Sequence, residues 1–179
     1  MLYDLIYESE TLVFFTGAGI STNSGIPDFR GPKGIWKTSQ PIYFQDFVSS
    51  EEKRIESWER KFSNELNINK AKPNQGHRKI AEIMKKKSLS HLITQNVDNL
   101  HQESGVGDSQ ITELHGNATY AKCLDCQLRY DLNELKESFL RTKEPPRCSE
   151  CNGLIKTATI SFGQPMPEEE MIIAQKKSI

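Results

Sequence analysis

The sequence lacks any apolar run that approaches the ~20 residues needed to cross a membrane as a helix. Its first ten residues, MLYDLIYESE, contain three acidic residues and no basic one, whereas a secretory signal begins with basic residues. Charge of either sign is not in excess, because the net charge of the 179 residues is −1. These absences predict an intracellular, cytoplasmic protein that neither spans a membrane nor binds nucleic acid directly.

Cysteine is also scarce, and the four cysteines form two C-x2-C pairs with 21 residues between them. A C-x2-C turn places two sulfur atoms on one ion, and two such pairs complete the tetrahedral site that Zn²⁺ prefers. A redox-active pair is the alternative for either pair alone. We predict one structural zinc ion bound by Cys123, Cys126, Cys148 and Cys151. That site is complete without the nearby His115, which needs a separate explanation.

Short apolar runs that end in polar or glycine-rich segments recur along the chain. Residues 11–21, 89–101, 110–116 and 156–167 predict four strands, and residues 74–88 have the apolar spacing of a helix. Strands that alternate with helical segments predict an α/β fold with a Rossmann-like parallel sheet. The first run, TLVFFTGAGIS, is expected to be a buried strand that enters a tight turn.

Two segments interrupt this alternation. Residues 32–75 contain a loop and a helix, and Ser49 and Glu52 have the spacing of a capping box at its start. Residues 120–155 contain the cysteines and predict an inserted zinc-ribbon module. The predicted organisation is a partial Rossmann-like domain over 1–119 and 156–179, with the loop and helical insertion at 32–75 and the zinc-binding module at 120–155.

Three of the predicted strands end in residues suited to binding, and ligands of parallel sheets bind at the carboxyl ends of the strands. The first strand ends in Gly17-Ala18-Gly19-Ile20-Ser21, where small residues let backbone N–H groups approach a phosphate. The second ends in Gln95-Asn96-Val97-Asp98, and the third in His115-Gly116. Each also has a structural interpretation: a strand-to-helix turn, an Asx turn with a helix cap, and a structural histidine.

The segment GIPDFRGPKGIW, residues 25–36, is too long and unusual for a simple connector, and functional lids are drawn from such loops. In order, GAGIS, GIPDFRG, TQNVDNLH, ELHG, the two cysteine pairs and SFGQPMP resemble the sirtuins, the NAD-dependent protein lysine deacylases. The resemblance extends from Leu12 to Pro167, which is nearly the whole chain.

The resemblance implies a role for each motif. His115 would be the general base, and Asn96 and Asp98 would act beside it at the nicotinamide and its ribose. Ile160, Phe162 and Gly163 would bind the acyl-lysine substrate, and the zinc would be structural. NAD would be bound by Gly17, Ala18, Gly19, Ser21, Asp28, Phe29, Arg30, Gln95, Asn96 and Asp98.

In that family the acyl oxygen of the substrate lysine attacks the ribose carbon that bears nicotinamide, and the acyl group is transferred to ADP-ribose. A histidine is suited to removing a proton from a ribose hydroxyl at cellular pH. The resemblance therefore implies that acetylated-lysine proteins or peptides are substrates, and that the products are lysine, nicotinamide and acyl-ADP-ribose.

The sequence departs from the family pattern at three places. Gln164 replaces the usual acid after Phe-Gly, and Lys61 and Asn64 occupy the positions of a Tyr-x-x-Arg pair that members acting on acidic acyl groups carry. Acetyl is therefore expected to be preferred over succinyl or malonyl. The chain also ends at Ile179, whereas sirtuins continue with a strand at the adenosine side of NAD, so the resemblance implies a C-terminally truncated member with weakened NAD binding.

Other functions would use parts of the same sequence. Mono-ADP-ribosyl transfer or NAD hydrolysis would need the same pocket, although hydrolysis alone needs neither the zinc module nor SFGQPMP. A zinc-ribbon binding module without activity would leave the glycine turn, the Gln-Asn-Val-Asp segment and His115 unexplained. An inactive fragment with intact motifs is the remaining alternative. Incubation of an acetyl-lysine peptide with NAD distinguishes them by the products.

Overall fold

The structure is a computed structural model that describes residues 2–29, 31, 34–37, 39–63 and 68–179. Short 3-10 helices lie at Ala18–Ser24, Ile35–Lys37, Ile68–Lys70 and Asp108–Gln110. In chain order the other elements are α1 (Leu2–Glu8), β1 (Val13–Thr16), α2 (Phe44–Ser49), α3 (Glu51–Phe62), α4 (Gln75–Lys86), β2 (His91–Thr94), α5 (Leu100–Glu103), β3 (Ile111–Glu113), β4 (Gly116–Cys123), β5 (Arg129–Asp131), α6 (Leu132–Thr142), β6 (Ile155–Thr159) and α7 (Glu168–Lys177).

Three strands form a parallel sheet in the order β1-β2-β3, as the alternation of strands and helices predicts. All four residues of the central strand β2 are buried, which is typical of a parallel strand with a neighbour on each side. Thr16 lies opposite Thr94, and Thr94 lies opposite Glu113. The carboxyl ends of all three strands therefore meet at one edge of the sheet.

β1 differs from the buried strand that its apolar run predicts. It lies at the edge of the sheet, and its residues Val13 and Phe15 are 47% and 62% exposed. Phe14, which alternates with them, packs against the core between α4 and β2, with Met84 and Leu92. An apolar run indicates a strand but does not indicate how many of its sides and faces are covered.

A second, antiparallel sheet carries the cysteine region, in the order β5-β4-β6. The expectation that residues 156–167 supply a fourth parallel strand is wrong, because β6 pairs antiparallel with β4. Ile155 lies opposite Cys123, and Thr159 lies opposite Gly116. The two cysteine turns bring the ends of the cysteine region together. As a result β6, which follows the second cysteine pair, lies beside β4, which leads into the first pair. β4 and β6 each run across one of the predicted domain boundaries.

The helical part of the 32–75 insertion consists of α2 and α3, and the predicted capping box at Ser49 and Glu52 is wrong. Ser49 is the last residue of α2, and its hydroxyl donates to the carbonyl oxygen of Gln45 at 2.7 Å. The N-cap of α3 is Ser50, whose Oγ accepts from the backbone N–H of Lys53 at 3.2 Å. The spacing rule misplaced the cap by one residue because a second helix ends immediately before it.

The largest apolar cluster joins α3 to the cysteine region. Trp58 is 1% exposed and stacks on Phe62 at a ring-centroid distance of 5.3 Å. Phe62 in turn contacts Phe139 of α6 at 5.7 Å, and Cys123 and Cys148 belong to the same cluster. One side of α3 is thereby fixed against the module that carries the cysteines.

Helix α7 was not predicted from the sequence, although its first turn holds three glutamates and its last turn two lysines, which suits a helix dipole. Its buried residue Ala174 packs against Ile93 and Leu114 of the parallel-sheet region. Within the part of the chain that the structure describes, no helix is both long enough and apolar enough to span a bilayer.

Candidate active site

Two threonines mark the carboxyl ends of β1 and β2. The hydroxyl of Thr16 donates to Oγ1 of Thr94 at 2.8 Å, and that oxygen also accepts from the backbone N–H of Asn96 at 3.0 Å. The chain leaves Thr16 through Gly17 into the 3-10 helix Ala18–Ser24, and it leaves Thr94 into the Gln95–Asp98 segment. Strand pairing thus places the glycine turn and the Gln-Asn-Val-Asp segment side by side.

Ser21 is the meeting point of these two segments. Its side chain is fully buried, and its hydroxyl donates to Oδ2 of Asp98 at 2.6 Å. The same oxygen accepts from Nδ2 of Asn96 at 3.2 Å. Oδ1 of Asp98 accepts from the backbone N–H of Leu100 at 3.0 Å, at the start of α5. Asp98 therefore forms an Asx turn before α5, whose N-cap is Asn99, and also holds a predicted cofactor-binding serine.

Two buried histidines complete this polar cluster. Nε2 of His77 lies 3.4 Å from Oγ of Ser21, and Nε2 of His101 lies 3.0 Å from Oγ1 of Thr16. Their rings pack against each other at a centroid distance of 4.8 Å. Burial lowers the pKa of His101 to about 4, and it also lowers the pKa of His77. Sequence reasoning missed the contribution of His77, for which the only local signal was its place in the first turn of a predicted helix.

His115 occupies the connection between β3 and β4. Its Nδ1 lies 2.9 Å from the backbone carbonyl oxygen of Gln95. A carbonyl oxygen only accepts, so Nδ1 carries the proton and Nε2 is left as the basic nitrogen. The next residue, Gly116, has a φ of 70°, and a Cβ there would lie 2.0 Å from the carbonyl oxygen of Ala158. The turn that fixes His115 therefore requires glycine.

A cavity of about 810 Å³ brings many of the predicted residues together. Those that line it are Ala18, Asp28, Phe29, Gln95, Asn96, His115, Ile160, Phe162 and Gly163. The predicted Gly17, Gly19, Ser21 and Asp98 are not among its lining residues, and Arg30 lies outside the described residues. Ser21 and Asp98 reach the cavity indirectly, because both belong to the hydrogen-bond cluster that fixes Asn96.

In the described part of the 25–36 loop, Asp28 accepts the hydrogen bonds that hold the turn. Oδ1 of Asp28 accepts from the backbone N–H of Gly31 at 3.0 Å, and its carbonyl oxygen accepts from the N–H of Ile35 at 3.0 Å. A Cβ on Gly31 would lie 2.2 Å from the Asp28 carboxylate. The carboxylate therefore shapes the loop from inside, and the neighbouring Phe29 lines the cavity.

The opposite wall of the cavity follows β6. The backbone N–H of Ile160 donates to the carbonyl oxygen of His115 at 2.9 Å, which joins this wall to the histidine turn. Beyond it the chain turns at Gly163, which has a φ of 77°. The side-chain oxygen of Gln164 accepts from the backbone N–H of Ser161 at 3.1 Å. Gln164 thus closes the turn with its own side chain.

Helix α3 contributes Lys61 to the same cavity. Its ammonium group donates to the carbonyl oxygen of Ala118 at 2.6 Å, and burial lowers its pKa. Arg60 also lines the cavity, and it donates to the carbonyl oxygen of Gln40 at 2.6 Å and pairs with Glu56. Arg60 thus pairs with a carboxylate, whereas the carbonyl oxygen that Lys61 contacts is neutral.

A second cavity, of about 540 Å³, includes Glu113, Asn117 and Lys156 in its lining. Burial raises the pKa of Glu113, whose carboxylate accepts from Gln102 and Asn117 at 2.8 Å each. Ile160 is the one predicted NAD- or substrate-binding residue in this lining, so the larger cavity is the candidate active site.

The four cysteines meet at the ends of β4 and β6. Their sulfur atoms all lie within 4.8 Å of one another, and two of the distances, Cys123 to Cys151 and Cys126 to Cys148, are 3.5 Å. Four sulfurs on a tetrahedral zinc ion, each about 2.3 Å from it, lie about 3.8 Å apart. The donor set therefore fits one Zn²⁺ and agrees with the sequence prediction, with no place for His115 in the site.

Two neighbours support the cysteine cluster. A Cβ on Gly153 would lie 2.1 Å from Oδ2 of Asp125 and 2.9 Å from the sulfur of Cys123, so the turn needs a glycine there. The hydroxyl of Tyr130 donates to the sulfur of Cys148 at 3.1 Å and accepts from the backbone N–H of Ser149 at 3.0 Å. Such donors stabilise thiolates that bind a metal.

Comparison with known proteins places this geometry in one family. The sequence model of the Sir2 family matches residues 17–178. An NAD-dependent protein deacetylase of Rhodopseudomonas palustris is 49% identical over 95% of this chain and 67% of its own length. An NAD-dependent protein deacetylase 1 of Bradyrhizobium diazoefficiens is 51% identical over 95% of this chain and 66% of its own length. The chain thus spans about two thirds of the length of these relatives.

Solved structures agree. A Sir2 complex with a p53 peptide and NAD+ superimposes with a TM-score of 0.80 at 37% identity, over 99% of this chain and 70% of that one. A Sir2 protein bound to acetylated peptide gives a TM-score of 0.81 at 34% identity, over 99% of this chain and 69% of that one. Since the family model covers most of the sequence and the fold agrees over nearly all of it, this chain belongs to the Sir2 family.

Proposed function

We propose that this chain carries the catalytic residues of an NAD-dependent protein lysine deacetylase, with His115 as the general base. The observation that carries the proposal is the hydrogen bond from Nδ1 of His115 to the carbonyl oxygen of Gln95. It leaves Nε2 as a proton acceptor in a cavity that Phe29 and Asn96 also line. The names of two relatives that are about half identical over most of the chain support the same reaction.

The residues around the cavity suit a dinucleotide. Its volume of about 810 Å³ lies within the ~300–1,000 Å³ typical of ligand sites. A Cβ on Gly19 would meet no described atom within 4 Å, so the Gly17-Ala18-Gly19 turn leaves room for a phosphate beside the backbone. We propose that Gln95 binds on the ribose side, that Ser21 acts there indirectly by holding the Asn96 amide, and that Asp28, Phe29 and Arg30 form the loop over the nicotinamide.

When bound, NAD supplies a ribose carbon whose bond to nicotinamide is broken as the acyl oxygen of the substrate lysine attacks. Asn96 lies at the cavity surface and orients groups there, because its amide is fixed on Ser21. Nε2 of His115 accepts the proton of a ribose hydroxyl, and the Gln95 carbonyl stabilises the resulting imidazolium through Nδ1–H. Asp98 uses both oxygens on Ser21 and Leu100, so we assign it a holding role.

The wall along β6 is the proposed binding surface for an acetylated-lysine protein or peptide. Ile160, Phe162 and Gly163 line the cavity on the side that is joined to His115. Phe162 is 46% exposed, so its ring can contact an incoming chain. Solved Sir2 structures that contain peptides support this assignment of substrate class.

The test is incubation of an acetyl-lysine peptide with NAD and the protein, followed by mass spectrometry of the products. Deacetylation predicts equal amounts of free lysine peptide, nicotinamide and acetyl-ADP-ribose. Free ADP-ribose without loss of acetyl would indicate NAD hydrolysis, and a modified peptide or protein that gains ADP-ribose would indicate ADP-ribosyl transfer. Either result would replace the proposal.

We further propose that the four cysteines hold one structural zinc ion and that the protein acts in the cytoplasm. The four sulfurs lie around a common centre and are not joined in disulfides. Thiols of this kind persist in reducing compartments, which favours the cytoplasm over an exported location.

A further inference from the structure

We propose that the second cavity binds a small zwitterion, such as a free amino acid or a short peptide, between a wall of cations and a wall of carboxylates. Its volume of about 540 Å³ lies within the ~300–1,000 Å³ typical of small-molecule sites. None of its charged lining residues lines the larger cavity, so this site is separate from the candidate active site. They are three cations, Lys122, Arg129 and Lys156, and three acids, Asp108, Glu113 and Glu170.

The cationic wall is a row across the antiparallel sheet. Lys122 of β4 lies directly opposite Arg129 of β5 on one side and Lys156 of β6 on the other. Directly opposite residues of antiparallel strands share one face of the sheet, and their Cβ atoms are about 4.5–5.5 Å apart. Like charges in such positions destabilise a sheet. This row of three cations is therefore unfavourable unless an anionic group lies against it.

The contacts of these cations leave their charge uncompensated. Nζ of Lys156 donates to the carbonyl oxygens of Thr159 at 2.5 Å and Thr157 at 3.4 Å, so one of its three protons remains available. The guanidinium of Arg129 lies 3.7 Å from the centre of the Tyr120 ring, a contact that adds no negative charge. Among the residues that the structure describes, no carboxylate oxygen lies within 4.0 Å of a nitrogen of the row.

The acidic wall includes the end of β3 and the first turn of α7. Oε1 of Glu113 accepts from the amides of Gln102 and Asn117 at 2.8 Å each, whereas Oε2 accepts from no described residue. Burial raises the pKa of Glu113 despite these two donors, so its carboxylate is poorly solvated. A cationic group placed against Oε2 would stabilise that carboxylate. Glu170, from α7, lines the same cavity.

Tyr120 connects the two walls. Burial and the carboxylates of Glu113 and Glu170 raise its pKa, and Arg129 lowers it, so the ring is within electrostatic range of both charge signs. A ligand beside this ring can place its carboxylate against Arg129 and Lys122 and its ammonium group against Glu113 and Glu170. A simple anion would be attracted by one wall and repelled by the other. The cavity therefore favours a molecule that carries both charges.

The experiment is calorimetry of the protein with glycine, diglycine and triglycine. The separation of the two charges increases along this series, since each added residue extends the chain by up to ~3.6 Å. We expect one of the three to bind best, at one site per chain. Its N-acetyl form lacks the ammonium group and its C-terminal amide lacks the carboxylate. Each blocked form should bind about 10–100-fold more weakly, the effect of losing a hydrogen bond to a charged group.

Two substitutions assign the two ends of the ligand. Lys122→Met should weaken binding of the unblocked ligand and its N-acetyl form, and leave the amide form unaffected. Glu170→Gln should weaken binding of the unblocked ligand and its amide, and leave the N-acetyl form unaffected. Lys85→Met, on an exposed position of α4 outside the cavity, is the matched control and should change none of them.

Thermal unfolding adds a second readout for Lys122→Met. We expect its melting temperature without ligand to rise, because the substitution removes repulsion from Arg129 and Lys156. A lysine that only supported the fold would lower the melting temperature when replaced. Zinc content, measured in parallel, shows that each variant keeps its cysteine region intact.

The outcomes that would overturn the inference are specific. They are equal affinity for blocked and unblocked forms, the same effect of Lys122→Met and Glu170→Gln on both blocked forms, or no binding of any of the three probes by the folded, zinc-containing protein. Sulfate that displaces an equally tight N-acetyl form would indicate a simple anion site instead. None of these measurements uses NAD, so the inference can fail while the proposed function stands.

Discussion

The cysteine cluster and the polar edge of the parallel sheet are assembled in different ways. The outermost cysteines, Cys123 and Cys151, are 28 positions apart, and each pair lies within one short turn. At the polar edge, Ser21 and Asp98 are 77 positions apart, and His77 reaches the same serine from a helix 56 positions away. A site built from two local turns can be found in a sequence, whereas one built from distant segments needs the strand order.

The two regions also differ in what holds them together. Cys126 and Cys151 are exposed, and the four thiolates fit a metal ion, which would stabilise the module when bound. Ser21, Asn96 and Asp98 are buried and hold one another by hydrogen bonds in a low-dielectric environment. Removal of the metal should therefore destabilise the cysteine cluster. Removal of one hydrogen-bond donor or acceptor should destabilise the polar edge.

The largest effect is expected from Cys148→Ser. Structural zinc sites of this kind contribute about 10–16 kcal/mol of binding free energy, which is folding free energy for the module. We expect the variant to lose its zinc and the ordered β4-β5-β6 region, as elemental analysis and circular dichroism would show. A Cys148→Ser protein that retained one full equivalent of zinc would contradict the four-thiolate site.

Tyr130→Phe is expected to have a milder effect than Cys148→Ser, because it removes only the hydroxyl that donates to the Cys148 sulfur. Loss of such a supporting donor typically weakens metal binding by about 10–100-fold. Competition with a chelator would measure the change. Unchanged zinc affinity would mean that the hydroxyl does not support the thiolate.

At the polar edge, His115→Ala is expected to lower the rate of deacetylation by about 10²–10⁴-fold, the usual contribution of a general base. Zinc content and the melting temperature should change little, because His115 is half-buried and does not touch the cysteines. Single-turnover kinetics with an acetyl-lysine peptide would measure the loss. Normal turnover by this variant would make His115 structural.

A pH effect is expected from His101, whose pKa is lowered from 6.5 to about 4 by burial. The folded state resists protonation there, so this contribution to stability is complete above pH 6.5 and is lost as the pH falls from 6.5 to 4. A shift of this size corresponds to about 3 kcal/mol. His101→Gln keeps a donor for Thr16 and removes the titration. Urea unfolding at pH 7 and pH 4.5 should show a smaller loss for the variant, and equal losses would exclude His101 as the cause.

The smallest effect concerns the acyl group, for which we predict a preference for acetyl over succinyl of about tenfold. A succinyl carboxylate would lose its hydration in the cavity. The attraction within a buried ion pair does little more than offset the free energy of that desolvation. The available cation is Lys61, whose ammonium already donates to Ala118. Steady-state kinetics with matched peptides would measure the ratio, and Lys61→Met should lower succinyl turnover more than acetyl turnover. Faster succinyl removal would show that Lys61 binds the carboxylate.

Several features of the fold followed from the sequence. The apolar runs predicted β1, β2 and β3, and the spacing of apolar residues predicted α4, because strand and helix periodicity are local properties. The exposed face of β1 and the antiparallel pairing of β6 did not follow. Both depend on which strands pair with each other in the folded sheets. The apolar run of a single strand does not indicate its partner.

The sequence alone predicted the four cysteines as metal ligands, because two C-x2-C turns already bring each pair of sulfurs together. It also determined that glycine-rich and polar segments follow successive parallel strands. The folded chain was needed to see that the Ser21 hydroxyl contacts Asn96, Asp98 and His77, and that the Gln95 carbonyl fixes the proton on His115. The reason is that a hydrogen bond requires donor and acceptor to be placed within tenths of an ångström and in the correct direction. The packing of the sheet and helices sets these positions, whereas residue spacing along the chain does not.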